Sequence, residues 1–342
     1  MHLKGKLSKI QLWVSLALIL SLLSPISATA SPSITQVANQ IRDLQIKATS
    51  AGEQAQQAQY ELNALQGKLN TVKKQAELQA ANLQADKKSL GALARQEYQN
   101  SGISQGLSLL FSSDPSKYLE MAGQLNSLAS RKTNQLRQFS AAKQNLNAAS
   151  LTVTDQLALV NAAKIKYQAQ AALVTAQLNE ARKLYSSLSK AEQKRLAALQ
   201  AAQAAADQNY SKKAIKNVNL GSGRGKIALQ FAIAQLGKWY VWGATGLKYW
   251  DCSGLTLKAF AQAGVSLPHS AAAQFGYGRY VGRNQLQPGD LVFFGYGNYI
   301  DHVGIYLRNG LMVNATHSGA QVSVSSFGNY FGSARFIGAR RI

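Results

Sequence analysis

Small or apolar residues recur at Ile34, Val37, Ile41, Leu44, Ala48, Ala51, Ala55, Ala58, Leu62, Leu65, Leu69, Val72 and Ala76, in alternating steps of three and four. That rhythm keeps one stripe of a helix turned toward a partner. Held over so many turns, it specifies a coiled coil rather than a helix lying on a globular core. The seam falters at Gln79 and Asp86, while Leu83, Leu90 and Leu93 carry its phase to about Tyr98. At ~1.5 Å per residue the helix is about 100 Å long, more than a compact domain can hold.

The seam stops at Asn100-Ser101-Gly102 and again near Gly106. An apolar run follows, Leu107, Leu109, Leu110 and Phe111, and then Ser113-Asp114-Pro115, a helix-start signal. A second long helical region carries apolar side chains that include Met121, Leu125, Leu128, Leu136, Phe139, Leu146, Val153, Leu157, Val160, Val174, Leu178, Leu184, Leu188, Leu196 and Leu199. Its phase slips more than once, so curvature or interruption is expected. Two long amphipathic helices joined by a short knob fold back as an antiparallel hairpin, and the alanines of the first seam let the backbones approach closely. Residues 31–206 are therefore read as an all-α coiled-coil region. The run from Leu107 to Phe111 is either a docking knob for a partner at the hairpin tip or a satellite core that caps the turn.

Upstream, Lys4, Lys6 and Lys9 precede an apolar run from Leu12 to Leu23 and a small-residue site at Ala28-Thr29-Ala30. This reads as a signal peptide over residues 1–30, since the run falls short of the ~20 residues that a membrane span needs. The chain carries 37 basic and 15 acidic side chains, a formal charge of +22, which calls for a polyanionic neighbour. Export excludes nucleic acid and points the charge toward anionic cell-wall polymers.

Residues 207–225 are polar and basic, end in Gly221-Ser222-Gly223-Arg224-Gly225 and read as a flexible linker. Residues 226–342 read as helices from Lys226 to Leu236 and from Ser253 to Ala263. Strands follow at Leu291 to Phe294, His302 to Leu307, Leu311 to Asn314, Gln321 to Ser325 and Phe336 to Arg340. Helices first and an antiparallel sheet second define an α+β domain. Asn309-Gly310 marks a two-residue hairpin between two of the strands.

This domain holds Cys252, the only cysteine of the chain. Unable to form an intramolecular disulfide, it is either an inert buried thiol or a nucleophile. Asp251-Cys252-Ser253-Gly254 opens a helix, and the amides and dipole of a helix start favour a thiolate. In Asp301-His302-Val303-Gly304-Ile305-Tyr306, alternation puts His302, Gly304 and Tyr306 on one face. Asn314, on the partner strand, has an amide that can orient an imidazole, as in a Cys-His-Asn arrangement. A strict two-residue turn, however, sets Ile305 opposite Asn314 and His317 opposite His302, so Asn314 reaches the histidine's face only through a bulge; His317 is the rival. Helix-end effects supply typically ~0.3 to 1 kcal/mol, whereas an imidazolium about 4 Å from a thiolate gains ~4 kcal/mol at an effective dielectric near 20. The ion pair with His302 must outweigh the adjacent charge of Asp251. No histidine and acid cluster has metal-ligand spacing, and no cofactor is called for.

These residues, with Tyr240-Val241-Trp242-Gly243, Leu267-Pro268-His269-Ser270, Pro288-Gly289-Asp290-Leu291 and the stretch from Met312 to Gly319, resemble the NlpC/P60 family of cell-wall peptidases. The resemblance implies a papain-like α+β fold and cleavage of peptidoglycan stem peptides, usually next to D-glutamate. By motif it makes Cys252 the nucleophile, His302 the base and Asn314 the third polar residue. It also implies that Tyr240 helps hold the reacting carbonyl and that Asp251 and Ser253 contact the substrate's polar end. Plain packing is the alternative for Tyr240 and Trp242, a helix N-cap for Asp251, and a structural or substrate-lining role for His269. The coiled coil resembles helical hairpins on wall endopeptidases that a membrane-embedded cell-division complex activates, which would make the hairpin tip that complex's docking point. The expected protein is a secreted cysteine endopeptidase positioned or regulated by its coiled coil. Its alternatives are a non-catalytic wall-binding protein and an amidase or transpeptidase on the same scaffold.

Overall fold

The structure, a computed structural model, describes residues 33–100, 115–297, 299–327 and 335–342. The expected signal peptide and the run from Leu107 to Phe111 lie outside the described residues. Among the described residues no helix is long and apolar enough to cross a membrane.

The heptad seam forms α1, Ile34–Asn100, and the second region forms α2, Pro115–Ser187; the two pack as a helical hairpin. Val37, Ile41, Ala48, Ala51, Ala55, Ala58, Leu62 and Leu69 are buried on α1, facing among others Val160, Ala163, Val174 and Ala181 of α2. The chain then breaks at Leu188 and restarts as α3, Lys190–Ile215. Ser189 caps α3 through the amide of Glu192, whose carboxylate returns to the Ser189 amide, a capping box.

The expected flexible linker is a correction. Residues 207–215 continue α3, and Ala214, Ile215, Val218 and Leu220 pack into the core of the C-terminal domain. Ser211 Oγ accepts the Val324 amide at 2.8 Å, Gln208 donates to the Val322 carbonyl at 3.0 Å, and Arg308 donates to the Ala214 carbonyl at 2.9 Å. The Val324 amide lies on the edge strand of the sheet and the Ala214 carbonyl in the last turn of the helix, so two of these bonds satisfy backbone groups that would otherwise be open, which is why the segment is held rather than free.

Beyond α3 come α4 (Gly223–Ile233), β1 (Trp239–Tyr240), β2 (Tyr249–Trp250), α5 (Cys252–Ala261), α6 (Ala271–Gln274), β3 (Arg279–Val281), β4 (Leu291–Tyr296), β5 (Tyr299–Arg308), β6 (Leu311–Asn314), β7 (Ser323–Ser326) and β8 (Arg335–Arg341). β1 and β2 form a small parallel pair; the others form an antiparallel sheet in the order β3-β8-β4-β5-β6-β7. The main core joins Leu229, Leu255 and Phe260 of α4 and α5 to Phe293, Val303, Ile305 and Val313 of the sheet. α5 therefore lies across the centre of the sheet, with its first residue aimed at β5.

Candidate active site

Cys252 opens α5, and Asp251 caps that helix, its Oδ1 accepting the Gly254 amide at 2.6 Å. Gly254 is small by necessity: a Cβ there would lie 2.3 Å from the Ala244 carbonyl oxygen. The Asp251 carboxylate also accepts the Gly243 amide at 2.7 Å and meets His269 Nε2 at 2.9 Å. Burial alone would lower the His269 pKa, but the bond to Asp251 and the charge of Asp251 outweigh it and raise it. Asp251 is thus the N-cap its sequence allows and, at once, the hub of the helix start.

On β5 a bulge between Tyr306 and Arg308 shifts the register so that Tyr306 pairs with Met312 and Ile305 with Val313. The Asn309-Gly310 turn itself is the two-residue type, with φ of 47° and 74°. One inserted residue moves Asn314 off the register of a strict hairpin and onto the histidine's face, as a bulge must. Asn314 Nδ2 lies 3.2 Å from His302 Nε2. A side chain at Gly304 would forbid this, since its Cβ would meet Met312 Sδ at 2.8 Å and Asn314 Cβ at 3.3 Å. The rival His317 directs Nδ1 to the Ser318 carbonyl at 2.8 Å.

Ser325 on β7, which the sequence reading did not single out, lies 3.0 Å from Asn314 Nδ2 and 3.2 Å from Oδ1. A hydroxyl donates or accepts, so either orientation of the Asn314 amide is satisfied. The orientation that turns Oδ1 to His302 keeps the ring proton on Nε2. The Val303 backbone, one residue on from His302, faces the Cys252 sulfur. Tyr240, on β1, is buried among Cys252, Asp251 and Glu53, with Thr49 beside its hydroxyl.

The larger departure from the sequence reading is that α1 lies over the site. Between positions 48 and 58 no residue of α1 is exposed, because α2 covers one side and the C-terminal domain the other. The Glu53 carboxylate receives the Cys252 thiol at 2.9 Å and the Ala271 amide at 3.0 Å, with Ser253 Oγ 3.0 Å away. Gln56 donates to Asp251 Oδ2 at 2.6 Å and accepts from Ser253 at 2.7 Å; Gln57 accepts from Ser270 at 2.7 Å. Ser50 faces Asp301, and Tyr60 meets Tyr277. Trp242 of the C-terminal domain packs against Ala48, Ala51 and Val174 of the hairpin, with its ring over Gly52.

Cys252, His302 and Asn314 are fully buried. Burial, with Glu53 and Asp251 nearby, pushes the Cys252 thiol well above its ordinary range, and burial followed by His317 pulls His302 down to about 3. Both groups are neutral here, so the thiolate–imidazolium pair expected of a working site is absent from this closed arrangement.

The site is a thiol at a helix start, facing an antiparallel sheet that carries a histidine and an asparagine, within an α+β domain. Residues 237–341 are an NlpC/P60 family domain. A stretch of 98 residues, 28% of the chain, is 47% identical to the probable endopeptidase p60 of Listeria monocytogenes and covers 20% of that protein. A second match, 43% over 107 residues and 30% of the chain, covers 27% of a probable endopeptidase of Mycobacterium bovis. The chain thus spans about a fifth to a quarter of the length of these curated relatives. The solved NlpC/p60 domain of the peptidoglycan hydrolase SagA aligns over 98% of its own chain and 34% of this one, at 28% identity and a TM-score of 0.31.

Proposed function

We propose that the protein is a secreted cysteine endopeptidase that hydrolyses peptide bonds in peptidoglycan stem peptides, next to D-glutamate. The observation that carries the reading is that Cys252, at a helix start, has its sulfur beside Val303, the residue next to His302, whose ring in turn meets Asn314. With the His302 proton on Nε2, Nδ1 takes the thiol proton. The sulfur then attacks the scissile carbonyl, a C–S bond forms, and Tyr240 together with helix-start amides faces the oxyanion. Collapse breaks the C–N bond, and the His302 imidazolium gives its proton to the leaving amine. Water, deprotonated by the same ring, hydrolyses the thioester and returns a free thiol and a new carboxylic acid. Asp251 and Ser253 hold the substrate's polar end beside the sulfur. The basic charge of the chain, +22, suits retention on anionic wall polymers, and the apolar sequence Leu107, Leu109, Leu110 and Phe111 between the two long helices would supply the docking point for a membrane-embedded division complex.

Full burial of Cys252 is the one observation that favours a second reading, a wall-binding protein with an idle thiol. Mass spectrometry of purified peptidoglycan after incubation with the protein or with its Cys252→Ala variant separates the two. The peptidase reading expects fragments with new carboxyl termini only where Cys252 is present, and their masses name the bond; identical fragment patterns would dismiss it.

A further inference from the structure

The contacts of α1 fall on the groups that a substrate needs. Glu53 touches the nucleophile, Ser253 and the Ala271 amide; Gln56 touches Asp251 and Ser253. Hydrogen-bond bookkeeping further constrains this contact. Gln56 Nε2 faces an acceptor, Asp251 Oδ2, so its Oε1 is the atom turned to Ser253. The single Ser253 proton goes to that 2.7 Å bond, and the 3.0 Å contact with Glu53 Oε1 is then made by a proton on Glu53. A neutral acid also fits its surroundings. Cys252 and Asp251 face it from α5, Tyr240 from β1 and His269 from the loop before α6, while its α1 neighbours Thr49, Gly52, Gln56 and Gln57 carry no charge. Burial, then Asp251, raises the Glu53 pKa from 4.5 to about 7, in agreement.

Packing makes the same case without charges. An indole from the domain's own Tyr240-Val241-Trp242-Gly243 motif enters the hairpin core, and it does so at the one position between Ala51 and Ala55 that lacks a Cβ and faces it: at Gly52 a Cβ would lie 2.4 Å from the Trp242 ring. A groove of about 400 Å³ runs beside Leu267, His269 and Tyr277 and is bounded on its other side by Gln56 and Tyr60 of α1.

We propose that α1 is an autoinhibitory helix: Glu53 fills the place of the scissile carbonyl, Gln56 occupies the groups that bind the substrate's polar end, and the thiol reacts only after the hairpin lifts from the cleft. This rests on the cysteine-peptidase reading, but its test does not. Because Cys252 is the only cysteine, its alkylation by iodoacetamide, followed by intact-mass spectrometry of the full chain, reports opening directly. Gly52→Leu wedges the Trp242 contact while improving helix propensity, so the hairpin itself is not weakened. Labelling is expected to be slow in the native protein and roughly tenfold to a hundredfold faster in Gly52→Leu, the range that overpacking one buried contact produces. Glu53→Ala, which leaves the Cys252 thiol and the Ala271 amide without their acceptor, is expected to accelerate it as well. Labelling equally fast in all three proteins would overturn the proposal. An opened Gly52→Leu protein that cuts no wall would instead count against the peptidase reading alone.

Discussion

Replacing Glu53 by glutamine isolates the proton that the closed site holds. A carboxyl moved from 4.5 to about 7 on docking keeps its proton more tightly in the closed state by about 3 kcal/mol. The sign follows from which state binds the proton. Below pH 4.5 the carboxyl is protonated whether α1 is docked or lifted, and docking has its full strength. As pH rises the lifted form ionises first, so docking weakens until pH passes about 7, beyond which both forms are ionised and the loss is complete. The opening equilibrium should therefore grow by roughly two orders of magnitude across that window. Glutamine has the shape and the donor of the protonated acid and does not titrate, so Glu53→Gln should stay closed throughout. The assay is the ratio of Cys252 alkylation rates, native over Glu53→Gln, from pH 5 to pH 8; thiol ionisation in the open state affects both and cancels. A ratio near one at acidic pH that climbs to tens or more above neutrality is expected, and a ratio flat across the range would refute the reasoning.

Three further outcomes follow from the geometry. His302→Ala, placed in the opened Gly52→Leu protein, should lower wall hydrolysis by roughly 10²- to 10⁴-fold, the worth of a general base, while circular dichroism retains the folded spectrum; undiminished hydrolysis would remove His302 from the mechanism. Ser325→Ala should cut kcat about tenfold with KM little changed, because the Asn314 amide loses the hydroxyl that fixes it, and Ser325→Thr should restore it; a change in KM alone would assign Ser325 to substrate binding. Ser211→Ala orphans the Val324 amide and should cost about 1–3 kcal/mol in a urea melt of the C-terminal domain, whereas an unchanged midpoint would return residues 207–215 to the status of a linker.

What the sequence disclosed and what it hid have physical causes. The heptad seam was legible because one period repeats over many turns, and the buried apolar positions of α1 are those the spacing marks. The helix start at Cys252 and the β5–β6 hairpin were legible from local turn and cap chemistry. The bulge before Arg308 was not: one inserted residue changes the face of Asn314 yet leaves nothing in the composition of the strand. Residues 207–225 look solvated because their polar side chains outnumber the few that matter, Ala214, Ile215, Val218 and Leu220, which bury themselves against the sheet. Glu53, Gln56 and Gln57 sit where a coiled coil ordinarily meets water, and a polar residue there carries no mark of what covers it. A signal did exist. Over positions 48–58 the off-seam residues are Thr49, Ser50, Gly52, Glu53, Gln54, Gln56 and Gln57, with a single charge and a glycine in mid-helix, a poor solvated face and a good interface.

The two halves of the account, a thiol that cuts wall peptides and a helix that withholds it, meet in one measurement: the rate at which the full chain releases peptides from purified peptidoglycan. Gly52→Leu should release them well above the rate of the native protein, and Gly52→Leu combined with Cys252→Ala should release none. Equal release by all three would contradict both halves together.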